Sequence, residues 1–92
     1  MEKREVYLEK INAQLAQYGA KISEMKAKAA EVNADVKLEY LNQVEKLEGQ
    51  RDGLREKYEQ LKDSSESTWE SLKEGTENAW NELKEAIAKV AK

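Results

Sequence analysis

The spacing of apolar side chains in the first third of the chain constrains the fold more than any other feature. Leu8, Ile11, Leu15, Tyr18, Ile22, Met25, Ala29, Val32 and Val36 follow one another at alternating steps of three and four. That rhythm keeps one stripe along an α-helix, whereas a strand would need a period of two. Val6 and Tyr7 widen the stripe at its start. The 92 residues include no Pro, so the strongest helix breaker is missing, and good helix formers dominate. Ala27, Ala29, Ala30 and Ala34 make a thin waist where another helix can approach closely.

Strict heptads then fail, because Glu39 and Gln43 fall on the next seam slots. The stripe resumes through Val36, Tyr40, Val44 and Leu47, which reads as a stutter that locally unwinds a left-handed supercoil. Leu38 and Leu41 lie about 140–200° away from Val36 around a helix, so the waist is apolar on two faces. Two apolar faces predict contact with at least two other helices. The seam continues as Leu47, Arg51, Leu54, Tyr58 and Leu61. Gly49 and Gly53 are turn candidates, but the stripe keeps its phase through them. The expectation is one continuous heptad-patterned helix over about residues 3–62, within a first segment 1–62.

Asp63-Ser64-Ser65-Glu66-Ser67-Thr68 is the better place for a break, since short polar side chains compete for local backbone groups. An uninterrupted helix with a polar patch is the alternative there. Ser67 and Glu70 have the spacing of a capping box, which sets a break at 63–67 and a second helix over 68–92, running to about residue 91. This segment carries an 11-residue repeat. Tyr58-Glu59-Gln60-Leu61-Lys62-Asp63 aligns with Trp69-Glu70-Ser71-Leu72-Lys73-Glu74 and with Trp80-Asn81-Glu82-Leu83-Lys84-Glu85. Eleven residues make almost three whole turns, so the repeat holds a stripe of Trp69, Leu72, Thr76, Trp80, Leu83, Ile87 and Val90 on one face.

The chemistry open to the chain is narrow. It has no Cys and no His, which excludes thiolate nucleophiles, disulfides and imidazole bases or ligands. Its net charge is −3, and no basic face exists to neutralise phosphates, so nucleic acid is not an expected partner. Glu45, Glu48 and Asp52 share a helical face, but loose carboxylates on a straight helix read as solvated charge, not as a cation cage. Tyr18, Tyr40 and Tyr58 are explained by packing on the seam. Arg51 either fixes register or buries its stem with the guanidinium in water, and the second reading is preferred. The Trp69/Trp80 stripe suits a membrane surface or the chain's own helices. Its narrowness, the interruption at Thr76 and the acidity of the segment favour packing.

The charged heptad helix, Leu61-Lys62-Asp63, and the paired units Trp69-Glu70-Ser71-Leu72 and Trp80-Asn81-Glu82-Leu83 together resemble a group of small bacterial proteins, the stress-response coiled-coil proteins of the cyanobacterial type. The resemblance covers essentially the whole chain, including Asp35-Val36-Lys37-Leu38-Glu39-Tyr40. It implies a helical, non-enzymatic protein linked to stress adaptation, and it supplies no catalytic residue. Plant desiccation proteins and apolipoproteins share the 11-residue period but not the Trp spacing.

The expectation is therefore an all-α protein, a long amphipathic helix plus a shorter C-terminal helix in a coiled coil or helical bundle. Its work would be association through the seam described above, with itself as a homo-oligomer and with other proteins. An amphipathic-helix lipid-surface or desiccation-protectant role is the alternative. No cofactor or metal is expected. No run of about 18 apolar residues is present, and Met1-Glu2-Lys3-Arg4-Glu5 leads into an amphipathic stretch, so a cytoplasmic location is expected.

Overall fold

The computed structural model describes residues 3–90 and contains three α-helices: α1 (Lys3–Lys28), α2 (Ala34–Lys62) and α3 (Glu66–Val90). A single 3-10 turn, Ala29–Glu31, joins α1 to α2. The fold is an all-α helical bundle, as the hydrophobic rhythm requires. Residues 91 and 92 lie outside the described residues, and with them the expected end of the second helix.

One expectation is corrected. The helix anticipated over 3–62 is divided at residues 29–33, and the chain reverses there. The cause is local. Val32 (φ −77°, ψ 140°) and Asn33 (φ −56°, ψ 136°) are extended, and the Asn33 side chain accepts a hydrogen bond from the Asp35 amide at 3.2 Å. Asn is among the best N-caps, because its oxygen satisfies an amide that the first helical turn leaves without a partner. The change of helix thus precedes Val36, and the shift of phase between Val36 and Leu47 lies wholly within α2, where the stripe facing the bundle is Tyr40, Val44 and Leu47. Tyr40 closes the reversal from the other side, its hydroxyl donating to the Met25 carbonyl at 2.8 Å near the end of α1.

Through Gly49 and Gly53, by contrast, α2 is unbroken. The second break falls where the hydroxyl-rich segment placed it, though one residue pair earlier at its far side. Here α2 ends at Lys62, and α3 begins at Glu66. Ser64 Oγ donates to the Leu61 carbonyl at 2.7 Å, and the Thr68 and Trp69 amides both donate to the Ser65 carbonyl. Short polar side chains thus take over the backbone groups that the helix ends leave free.

Helices of 26, 29 and 25 residues are roughly 39, 44 and 38 Å long at 1.5 Å per residue, and side by side they match principal extents of 51 × 21 × 18 Å. Residue pairs fix the directions. Lys26 meets Glu48 and Gly19 meets Arg51, so α1 and α2 are antiparallel; Tyr7 meets Trp69 and Tyr18 meets Trp80, so α1 and α3 run the same way. The core is Ile11, Leu15, Ile22 and Met25 from α1, Val44, Leu47, Leu54 and Leu61 from α2, and Leu83 and Ile87 from α3. The close backbone approaches run between α1 and α2 and between α2 and α3. Helices α1 and α3 meet mainly through large aromatic side chains.

Candidate interaction surface

Most of the seam read from the sequence is turned inward within one chain. Besides the ten core residues, Leu8, Tyr18, Tyr40, Tyr58, Trp69, Leu72 and Trp80 are half-buried against it. Val32 is half-buried beside the turn, and Val36 is 52% exposed. The structure thus brings these core and half-buried positions to one interior and leaves the last two of the first heptad run, Val32 and Val36, at its edge.

The Trp stripe forms the α1–α3 contact. Tyr7 stands between the two indoles, with ring centroids 5.9 Å from Trp69 and 6.2 Å from Trp80, both edge-on. Trp80 Nε1 donates to the Tyr18 hydroxyl at 3.0 Å, and the Lys73 ammonium lies 4.9 Å from the Tyr7 ring centre. Edge-on aromatic pairs suit the ring quadrupoles, and a cation over a ring face adds to them. The Tyr7 hydroxyl is buried without a hydrogen-bond partner. Burial, with the Glu77 carboxylate near but outside hydrogen-bonding geometry, pushes its pKa well above the ordinary tyrosine value. Thr76, the polar intruder in the stripe, is fully buried and donates back to the Leu72 carbonyl at 2.8 Å, which satisfies its hydroxyl inside its own helix.

Arg4 is a residue whose role the sequence analysis missed. Its guanidinium donates to the carbonyls of Leu61 (3.3 Å), Lys62 (3.2 Å) and Ser64 (2.6 Å) while stacking 4.7 Å from the Trp69 ring centre. The carbonyls at a helix C-terminus carry the negative end of the dipole and lack helical partners, so a cation there completes α2. Nothing in the local sequence gives the signal, because donor and acceptors are about sixty positions apart.

The charged residues behave as the sequence suggested they would on a helix surface. The Arg51 stem lies 3.9 Å from where a Cβ on Gly19 would sit, and its guanidinium reaches out to Asp52 at 3.0 Å. Glu48 pairs with Lys26 at 3.5 Å, and Glu45 and Asp52 are exposed. Among the described residues, no group of three or more potential metal ligands converges, and no helix is long and apolar enough to cross a membrane.

Of the large apolar residues left exposed, Val6 (39%) stands alone near the start of α1, and the other three lie together at the opposite end. Val36, Leu38 (73% exposed) and Leu41 cluster on the first two turns of α2, beside the reversal. Leu38 and Leu41 are the second face of the waist. The first face, Tyr40, Val44 and Leu47, packs into the bundle, and no third helix reaches the second.

Neither family models nor curated proteins nor solved structures contain a match to this chain.

Proposed function

We propose that this chain is a non-enzymatic helical-bundle protein that acts by association, with copies of itself and with other proteins. The observation that carries this reading is the apolar end formed by Val36, Leu38 and Leu41. A chain with 38% charged residues has ample polar side chains for that surface, and three neighbouring apolar side chains left outside the core form the kind of patch whose burial against a partner is favourable. The cytoplasm and a bacterial stress response are the setting that the resemblance to the coiled-coil stress proteins suggests. The alternative lipid-surface role has less support, because Trp69, Leu72, Trp80, Leu83 and Ile87 would have to leave the bundle to meet a bilayer.

The test is the molar mass in solution of the wild type and of the Val36→Glu/Leu38→Glu variant. The wild type should associate as concentration rises, and the variant should remain monomeric with unchanged helicity. Equal association of the two proteins would overturn the reading.

A further inference from the structure

The first heptad run does not stop where α1 stops. Its positions continue in phase from Met25 through Ala29 and Val32 to Val36, across the turn. A hairpin gives no reason for that, since Val32 and Val36 do little in its core. A straight helix through residues 29–33 would place both on the same stripe as Leu8 to Met25.

The turn is built so that it can straighten. No described residue has positive φ, and only Val32 and Asn33 depart from helical geometry, mainly in ψ. The flanking residues, Lys26-Ala27-Lys28-Ala29-Ala30-Glu31 and Ala34, are strong helix formers. Rotating two ψ angles converts the reversal into helix and adds backbone hydrogen bonds, at the loss of the Asn33 cap.

We infer that a second copy of this chain covers the open end of the seam by exchanging α1. In each copy α1 and α2 become one helix, and α1 packs against α2 and α3 of the other copy. Contacts such as Tyr40 with Met25 and Arg4 with Leu61 re-form between chains. The same antiparallel register, extended through the straightened segment, sets Val32 of one copy opposite Val36 of the other. Exchange of an identical element is a low-cost route to a dimer because nearly all contacts are already designed. The inference rests on the self-association reading and names its mode.

The experiment uses the absence of cysteine. Lys10→Cys and Glu56→Cys supply two exposed spin-label sites, and labelled chain is diluted into excess unlabelled chain. In the hairpin the labels sit on neighbouring helices, within about 30 Å. In a straight helix of one chain they are about 69 Å apart. Ala34→Pro locks the hairpin: residue 34 is the first of α2, where Pro fits, and Asn33 before it is already extended. In a straight helix the same Pro is internal and should weaken dimerisation at least about 100-fold. Asn33→Ala acts oppositely, by removing the cap.

The expected result is a dimer with the long intrachain distance, weakened in Ala34→Pro and strengthened in Asn33→Ala. A dimer that keeps the short distance, or that forms equally well in Ala34→Pro, overturns the exchange and leaves self-association standing. Absence of any dimer at millimolar concentration, in both the wild type and Asn33→Ala, overturns both.

Discussion

Tyr7 and Arg4 show how much of this small protein hangs on single side chains near its beginning. Tyr7 is held neutral by burial beside Glu77, so the folded state binds the phenolic proton more tightly than the unfolded chain does. That stability is complete below the ordinary tyrosine pKa of about 10 and is lost as pH rises beyond it. Tyr7→Phe should therefore flatten the alkaline fall in unfolding free energy, measured by urea titration from neutral pH upward. At neutral pH the same change should be neutral or slightly stabilising, because it removes a buried hydroxyl without a partner. Arg4→Met keeps much of the stem over Trp69 but strips the α2 carbonyls of their cation. A loss of about 1–2 kcal/mol is expected in thermal or urea unfolding. Neither role was legible from the sequence. Arg4 read as part of a charged N-terminus and Tyr7 as a stripe-widener, because their partners come from α2 and α3 and only the folded chain brings them together.

At the level of elements, the seam of the sequence became the interior of the bundle almost residue for residue, since burial follows periodicity and periodicity is local. The helix boundary near 63–65 was legible for the same reason, as the serines compete for backbone within a few residues of themselves. The boundary at 29–33 was not. Its signal was one Asn followed by Ala and Asp, a capping pattern outweighed by an apolar rhythm running through it in phase. The reverse holds for Gly49 and Gly53, which look like punctuation and lie inside α2. A Cβ built at either meets nothing within 4 Å. Gly49→Ala and Gly53→Ala should each stabilise the protein by about 0.5–1 kcal/mol, read as a higher melting temperature by circular dichroism, through lower unfolded-chain entropy and better helix propensity.

For the whole molecule, α2 does touch two helices, both of the same chain, but the second face of the waist, Leu38 and Leu41, is covered by neither. An intrachain partner was not distinguishable from a second copy, because a heptad specifies a stripe and not whose stripe fills it. The monomer should therefore be compact in solution. Small-angle scattering on the dilute protein should give a radius of gyration near the Cα value of 15.3 Å plus a hydration shell. A rod nearly twice the bundle's length would show the hairpin to be open even without a partner. Replacing a fully buried α2 residue, as in Leu54→Ala, should cost about 2–5 kcal/mol, a large part of what a domain of this size has.

The backbone geometry of the two turns has a kinetic consequence. Neither uses a left-handed residue, the chain has no Pro, and each reversal joins neighbouring helices. Closing either hairpin therefore awaits no rare backbone conformer and no slow isomerisation, and most contacts are short-range along the chain. Such topologies refold in microseconds to milliseconds. Under the exchange inferred above, α1 would first have to leave its own bundle, a step on the far slower scale of unfolding. A freshly diluted sample would then keep a memory of its former concentration long after every individual chain has had time to fold many times over.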